Sequence, residues 1–319
     1  MFEGYTYKDK ELGKIDLKNF KGFNVKKIKF WLDFNNPSEE DIKKISEFVE
    51  LHPITIEDLK DEEETTRIKY EEFDDYSFIV YTGIKKISKD DLELYTVYFI
   101  VGKRFLITLH KDNKIINDLK KRDRRKKFLL SRGTDYLLHY FIDKEIDLYY
   151  PIVENHEKAI EKLDKDILKS RDKKKLDDLF DKKVINSELK SLIVSSGRMM
   201  SRVTKPSNRD IREEVVIYFK DVLDNLLIIN DSLQTTKEQI AATISEHNTL
   251  LSSNMNEAIK VLTIIATIMM PLTLITGIYG MNLPILPGGQ SKESFYLIMG
   301  IMLSVAAVMI YYFKRKKWV

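Results

Sequence analysis

Residues 261–291 contain no Asp, Glu, Lys or Arg, and this run of 31 uncharged residues constrains the fold more than any other feature of the chain. A helix of about 20 apolar residues spans the hydrocarbon core of a bilayer. A second uncharged run, residues 295–313, follows a short segment rich in Pro and Gly. The pattern predicts two membrane-spanning helices joined by a short loop. The alternative is a buried helical hairpin in a water-soluble protein.

The charges next to these runs predict the orientation of the chain in the membrane. Four basic residues, 314–317, follow the second run, whereas the connecting loop carries only Lys292 as a base. Basic flanks favour the cytoplasmic side, so the C-terminus and, across two spans, the first 260 residues are expected there. The first ten residues show neither the basic nor the apolar region of an export signal. We expect a multi-pass protein of the cell (inner) membrane with both termini in the cytoplasm.

The composition narrows the possible chemistry. Lys and Arg number 53 against 50 Asp and Glu, a net charge of +3, so there is no chain-wide electrostatic footprint for nucleic acid. The chain has no Cys, which excludes disulfides and thiolate metal ligands. No G-x-x-x-x-G-K-[ST] phosphate loop occurs, and we expect no ATP use and no enzymatic activity. The basic tract 120–127 is interpreted as a solvated connector, with a partner-docking patch as the alternative.

The predicted secondary structure of the water-soluble part changes from mainly strands to mainly helices near residue 110. Before it, residues 27–34, 77–86 and 94–109 are rich in β-branched and aromatic residues, and a turn is expected at Gly102-Lys103. Ser38, with an acid three residues later, predicts a helix start. After it, few Gly or Pro residues interrupt the chain, and helices are expected at 134–170, at 173–203, and from 207 to 270, the last running directly into the first span.

One face of the first span repeats with a mean step of 3.5 residues, the period of helices packed side by side. Only two of its side chains are polar, and the span contains no carboxylate. Neutral oxygen groups suit the passage of a divalent cation that keeps its water. Simple oligomer packing explains the period equally well. The face consists of Asn256, Ile259, Leu262, Ala266, Met270, Thr273 and Gly277.

The end of the first span, Tyr279-Gly280-Met281-Asn282, resembles the signature of the CorA family of Mg²⁺ transporters, a Gly-Met-Asn triplet at the outer end of the first of two C-terminal spans. The resemblance covers essentially the whole chain. Its further matching residues are Pro271, Thr273, Gly277-Ile278-Tyr279, Trp318, His52-Pro53, Glu57-Asp58, Arg67, Lys69, Glu71 and Asp75-Tyr76.

The resemblance implies an α+β membrane protein that assembles as a homopentamer in the lipid bilayer. Each chain would have an N-terminal cytoplasmic α/β/α domain, a long stalk helix continuous with the first span, and two C-terminal transmembrane helices. The expected boundaries are 1–203 for the domain with its helical extension, 207–260 for the stalk, 261–280 for the first, pore-lining span, 281–294 for the external loop, 295–313 for the second span and 314–319 for the basic tail.

The family also implies a passive influx of hydrated Mg²⁺, with Co²⁺ and Ni²⁺ as further transported ions. Gly280, Met281 and Asn282 would form the selectivity filter, with five Asn282 amides accepting hydrogen bonds from water on the ion. Met281 stands where the zinc-exporting branch tends to carry Val, which favours Mg²⁺. The alternatives are a zinc or other divalent cation exporter on the same scaffold, and a membrane-tethered scaffold protein that binds a partner through residues 120–127.

In the family, cytoplasmic Mg²⁺ bound between neighbouring subunits closes the pore. The matching acids here are Glu57, Asp58, Asp221 and Asp224, so Mg²⁺ would be both transported and regulatory. A further stalk acid of the family is replaced by Ser245, which predicts a shifted or weaker sensing site. The plainer alternatives are a wetted helix face for Asp221 and Asp224, and a helix start for Glu57 and Asp58.

Overall fold

The computed structural model describes most of the chain and divides it into two compact units, Met1–Thr243 and Ile244–Val319. The described residues are 2–15, 28–60, 68–88, 91–170, 173–206, 208–281 and 292–318. Their strands are β1 (Phe2–Lys8), β2 (Glu11–Ile15), β3 (Lys29–Asn35), β4 (Lys69–Glu72), β5 (Ser77–Ile87), β6 (Leu92–Gly102) and β7 (Phe105–His110). Their helices are α1 (Glu39–Phe48), α2 (Pro53–Lys60), α3 (Lys114–Lys120), α4 (Asp123–Arg132), α5 (Thr134–Asp147), α6 (Tyr149–Ser170), α7 (Lys173–Val203), α8 (Glu213–Tyr279) and α9 (Lys292–Arg315).

The strands form one mixed sheet in the order β2-β1-β3-β7-β6-β5-β4. Strands β3 and β7 are parallel, with Phe30 opposite Phe105 and Asn35 opposite His110. The other neighbouring pairs are antiparallel. Strands β1 and β2, which the sequence analysis did not assign, form a hairpin at one edge.

Helices cover both faces of the sheet, because neighbouring side chains of a strand point to opposite sides. Phe30 of β3 packs in a core with Ile42 and Ile45 of α1. The next residue, Trp31, packs in a second core with Phe141 of α5. That core also takes side chains from α3, α4, α6, α7 and the first part of α8. The predicted α/β/α architecture is confirmed.

Several local predictions are also confirmed. The strands at 27–34, 77–86 and 94–109 correspond to β3, β5 and the pair β6 and β7. The last two strands are antiparallel, with Gly102 opposite Phe105, so the chain turns where Gly102-Lys103 predicted. Ser38 caps α1: its hydroxyl accepts from the Asp41 backbone N–H at 3.2 Å, and the Asp41 carboxylate accepts from the Ser38 backbone N–H at 3.0 Å.

The single helix predicted for 134–170 is wrong, because the chain forms two helices, α5 and α6, that meet at Leu148. Pro151 explains the break. Proline has no backbone N–H to donate to the Asp147 carbonyl, and its ring crowds that carbonyl. Within the first turn of a new helix, where the N–H has no partner in any case, the same residue costs little.

The long helix begins later than predicted. Residue 207 lies outside the described residues, and α8 starts at Glu213. The preceding segment is held by side chains: Asn208 Oδ1 accepts from the Asp210 N–H at 3.1 Å, Ser77 Oγ donates to Asp210 at 2.7 Å, and Arg212 Nε donates to Asp135 at 2.8 Å. From Glu213 the helix runs without interruption to Tyr279, which confirms the predicted continuity with the first span.

The interpretation of residues 120–127 as a solvated connector holds for residues 121–125 and 127, which are exposed, but not for Lys120 and Lys126. The tract forms the end of α3 and the first half of α4, and two of its lysines point inward. Lys120 Nζ donates to the buried Asp33 at 2.8 Å. Lys126 is 1% exposed, with its ammonium 3.9 Å from the centroid of the Tyr5 ring. Tertiary packing of long side chains over an aromatic ring accounts for this burial.

A buried carboxyl group links the sheet to α5. Glu145 is 2% exposed, and its carboxylate accepts hydrogen bonds from Asn113 Nδ2 at 2.5 Å and from the Tyr95 hydroxyl. Both donors are neutral. Burial raises the pKa of Glu145 to about 7, against an ordinary value of 4.5, because the charged form loses its hydration.

We predict that Glu145→Gln removes part of the pH dependence of stability. Between pH 4.5 and 7 the folded state binds more protons at Glu145 than the unfolded state, so the free energy of unfolding falls as the pH rises. The loss amounts to about 3 kcal/mol. Thermal unfolding of the full chain at pH 5 and pH 8 measures it, with Glu161→Gln, an exposed acid on α6, as the control. An unchanged difference between the two pH values in Glu145→Gln would contradict the assignment.

Candidate functional site

Two described helices are long and apolar enough to cross a bilayer, within Glu213–Tyr279 and Phe295–Arg315. In the most apolar 18-residue window of each, no residue is buried inside the chain. A core helix of a soluble protein buries its apolar side chains, so this exposure argues against the buried hairpin. Lipid or further protein chains must cover these surfaces.

The face of α8 with the 3.5-residue period is exposed along its whole length. All seven of its residues, from Asn256 to Gly277, are exposed, with Leu262 at 66% and Met270 at 72%. The positions on the opposite side of the helix, Ile264, Ile268 and Ile275, are partly buried. The face therefore lies within the exposed side of this helix, which also carries Val261, Ile265 and Leu274 and is free to meet other copies of the chain or an aqueous pathway.

The polar groups of this face have no partners in the described part of the chain. The hydroxyls of Thr263, Thr267 and Thr276, which lie off the face, donate to backbone carbonyls one turn earlier at 2.6 to 3.1 Å. The side chains of Asn256 and Thr273, in contrast, form no hydrogen bond with any described residue. An amide and a hydroxyl are thus available to water molecules around an ion.

The helix ends at the predicted triplet. Gly280 donates its backbone N–H to the Thr276 carbonyl at 2.8 Å, and Met281 donates to the Ile278 carbonyl at 3.3 Å. A Cβ at position 280 would lie 3.0 Å from the Thr276 oxygen, so glycine fits this close approach best. Met281 is 53% exposed. Asn282 lies outside the described residues, as do Arg67 and residues 61–64.

The candidate regulatory acids fall into two groups. Asp221 and Asp224 lie three residues apart on α8, and both are exposed. Glu57 and Asp58 lie in the second half of α2, so their interpretation as a helix start is wrong. Glu57 is exposed.

Asp58 already has a cationic partner within its own chain. Its side chain is 14% exposed and accepts a hydrogen bond from Lys69 Nζ, which also lies 3.3 Å from Glu71 Oε2. The resemblance placed Lys69 in the family pattern, but sequence reasoning gave it no role. The strand β4 carries Lys69 and Glu71 on alternate positions of one face, which is the signal that could have suggested a shared ion pair.

The described residues contain no group of three or more His, Asp or Glu side chains placed to hold a metal ion. A cation at Asp58 or Asp221 therefore needs further oxygen ligands from water or from another chain.

Comparisons with known proteins agree on one family. The sequence model of the CorA-like Mg²⁺ transporter protein family matches residues 27–315. The cobalt/magnesium transport protein CorA of Thermotoga maritima is 29% identical over 316 residues, covering 97% of this chain and 89% of that protein. The protein of the same name from Methanocaldococcus jannaschii is 27% identical over 316 residues, covering 96% of this chain and 95% of that protein.

The fold agrees as well. The complete structure of the CorA magnesium transporter from Methanocaldococcus jannaschii superposes with a TM-score of 0.82 at 23% identity, covering 100% of this chain and 99% of that one. This family consists of ion transporters and not of enzymes. The chain belongs to the CorA-like Mg²⁺ transporter family.

Proposed function

We propose that the chain forms a homopentameric channel that lets hydrated Mg²⁺ flow down its electrochemical gradient into the cytoplasm. Co²⁺ and Ni²⁺ are proposed as further transported ions. The relatives named above are cobalt/magnesium transport proteins, which supports Mg²⁺ and Co²⁺ as cargo. Ni²⁺ forms a similar octahedral hydrated ion, and we therefore include it among the transported ions.

One observation carries the proposal: a continuous, exposed face of α8 offers only neutral groups. Mg²⁺ dehydrates reluctantly and usually keeps several waters. The unpartnered side chains of Asn256 and Thr273 can hydrogen-bond those waters without stripping them. Leu262 and Met270 on the same face form apolar constrictions that close by dewetting. Five copies of this face around one axis would form the pore, and Ile259, Ala266 and Gly277 would complete its lining.

The selectivity filter is assigned to Gly280, Met281 and Asn282 at the outer end of the pore. A ring of Asn282 amides selects a cation by its hydrated size. The close packing of Gly280 against Thr276 supports an abrupt helix end at this point.

The orientation places both termini in the cytoplasm of a cell whose plasma or inner membrane holds the pentamer. Lys260 Nζ, at the start of the first span, donates to the Lys317 carbonyl of the basic tail at 3.2 Å. The two spans therefore return the chain to the side on which it entered. The proposed segments are the cytoplasmic domain with its helical extension, 1–203, the stalk, 207–260, whose helix begins at Glu213, the spans 261–280 and 295–313, the external loop 281–294 and the cytoplasmic tail 314–319.

Cytoplasmic Mg²⁺ is proposed to close the channel by binding between the acids of neighbouring subunits, Glu57 and Asp58 on one side and Asp221 and Asp224 on the other. Carboxylates that face one another repel unless a cation lies between them. Because Lys69 already neutralises Asp58, an incoming Mg²⁺ competes with this lysine. That competition, together with the presence of Ser245 in place of a stalk acid, weakens the binding of Mg²⁺ at the sensing site.

We predict that Asn282→Ala abolishes Mg²⁺ uptake into proteoliposomes while pentamer assembly is retained, because the amide ring that contacts the hydrated ion is gone. Gln290→Ala, another amide in the same loop, is the matched control and should transport normally. In wild type, hexaamminecobalt, a stable mimic of a hydrated cation, should block uptake. Wild-type flux in an assembled Asn282→Ala pentamer would contradict the selectivity role.

We predict that Asp58→Asn combined with Asp221→Asn raises the internal Mg²⁺ concentration needed for half-inhibition by about tenfold, equivalent to about 1.4 kcal/mol. Two other single variants should shift the half-inhibiting Mg²⁺ concentration in the opposite direction. Ser245→Asp adds a stalk acid and Lys69→Met removes the in-chain competitor, so both should close the channel at lower Mg²⁺. Flux measured against internal Mg²⁺ tests all three, with Glu161→Gln as the control. Inhibition curves that coincide with wild type would place the sensor elsewhere, with residues 61–64 the next candidate.

A further inference from the structure

The four bases after the second span, residues 314–317, form an ordered helix end. Lys317 donates its backbone N–H to the Lys314 carbonyl at 3.1 Å, and Trp318 donates its backbone N–H to the Phe313 carbonyl at 3.0 Å. These two bonds define a Schellman motif, one of the regular ways in which a helix ends. The backbone that carries the four bases is therefore held in one conformation.

The indole of Trp318 anchors this helix end. Its ring stacks on the ring of Phe313, with centroids 5.8 Å apart and an angle of 24° between the planes. An apolar contact between these two positions commonly accompanies a Schellman motif. Within the described part of α9, Phe313 is the only buried residue, at 7% exposure. The bases thus lie on a packed aromatic pair at the point where the uncharged span ends.

A base occupies the position of this motif that glycine usually takes. Lys317 has a φ of 57°, in the left-handed region. A side chain is disfavoured there because its Cβ lies too close to the following carbonyl oxygen, so glycine is the common residue. Lysine therefore makes the helix end less stable than glycine would. What it adds at this position is a positive charge.

A base from α8 joins the four bases of α9. Lys260, directly before the first span, donates from Nζ to the Lys317 carbonyl at 3.2 Å. An ammonium group has three N–H donors, so two remain for other acceptors. Both membrane helices thus contribute to one group of five bases, Lys260 and residues 314–317, which we call the basic cluster.

The basic cluster has an excess of positive charge within its own unit. Its five bases form no ion pair with an acid in the described part of the chain. Among Ile244–Val319 the acids are Glu246, about 21 Å before Lys260 along the helix, Glu257, and Glu293 at the other end of α9. Val319, outside the described residues, has an uncharged side chain. Even with a terminal carboxylate at that position, the nearby bases outnumber the nearby acids by five to two.

The basic cluster lies at the depth of the lipid headgroups. The uncharged run 295–313 makes about 28 Å of helix, close to the thickness of the hydrocarbon core of a bilayer. Tyr311 is 67% exposed, Tyr312 is 56% exposed and Trp318 is 43% exposed. Tyr and Trp side chains are enriched at the boundary between hydrocarbon and water. The bases of the cluster therefore begin where the hydrocarbon ends.

We propose that the basic cluster binds the headgroups of anionic phospholipids, with the Trp318 indole beside them at the hydrocarbon boundary. Groups of Lys and Arg directly next to a membrane span attract anionic lipids, and basic pockets between spans bind their headgroups. The membrane boundary also concentrates these headgroups, which favours a lipid over a soluble phosphate. The cytoplasmic leaflet is assigned from the orientation proposed above, whereas the binding itself does not depend on ion transport.

Quenching of Trp318 fluorescence by brominated lipids tests the proposal. The full-length protein is placed in bilayers of phosphatidylcholine and phosphatidylglycerol, the same in both leaflets, with bromine on the acyl chains of one lipid or the other. The chain has two Trp, so the difference between wild type and Trp318→Phe isolates the Trp318 signal. We expect phosphatidylglycerol to associate about fivefold more strongly than phosphatidylcholine, the effect of one base near an anionic surface. Salt at 1 M should remove most of this preference, because the Debye length falls to about 3 Å.

Two variants localise the binding. Lys317→Gly removes a charge and relieves the left-handed backbone, so the lipid preference should fall while the unfolding temperature stays the same or rises. Lys260→Gln should lower the preference from the other helix, and Lys292→Gln, at the opposite end of α9, is the control that should keep it. Equal quenching by both lipids in wild type, or full preference in both cluster variants, would overturn the proposal and leave the cluster to an acidic protein surface. Loss of the preference on adding excess soluble glycerol phosphate would also overturn it, in favour of a free phosphate.

Discussion

The exposed apolar surface of α8 and α9 is the constraint on which the rest of the structure depends. Side chains such as Leu262, Met270 and Leu303 are more than 60% exposed in the single chain. Water cannot solvate so large a contiguous apolar surface at an acceptable free energy, so lipid or other protein chains must cover it. Because helices satisfy their backbone hydrogen bonds internally, they can be placed in lipid without further cost.

The same constraint shapes the chemistry of transport. In the proposed mechanism the ion passes with its water and is recognised through that water, because a charge-free span has no carboxylate to replace the hydration shell of Mg²⁺. The candidate sensing acids lie outside the two spans, at Asp221 and Asp224 on α8 and at Glu57 and Asp58 on α2. The proposed passage and the proposed sensing thus use different oxygen chemistry, neutral in the membrane and anionic outside it. Lys69 places a cation next to one of these acids, Asp58.

Much of the architecture could be predicted from the sequence because local signals and burial agree there. The strands, the capping box at Ser38 and the turn after Gly102 follow from side-chain alternation and short-range hydrogen bonds. The break before α6 also has a local signal in the sequence, Pro151, which the prediction of a single helix did not take into account. The late start of α8 was not encoded locally, because distant partners such as Ser77 and Asp135 hold the segment before it.

Long-range contacts also explain what the sequence could not show at the sites. In the sequence, Lys126 is one base in a charged tract. Its burial depends on packing against Tyr5, which is distant in the sequence. Lys69 becomes the partner of Asp58 only when β4 packs near α2. The periodic face of α8, in contrast, was visible in the sequence because a helix repeats its faces regularly, and the structure shows the whole face exposed.

Cysteine accessibility in the transporting protein tests the central claim, that this face of α8 lines the ion pathway, most directly. The natural sequence has no Cys, so single substitutions need no altered background. With channels opened at low Mg²⁺ in proteoliposomes, a charged, water-soluble thiol reagent should modify cysteines at Leu262, Met270 and Thr273 and block flux, while cysteines at Ile264, Ile268 and Ile275 should stay unmodified. Modification of the second set in place of the first would contradict the assignment of the pore.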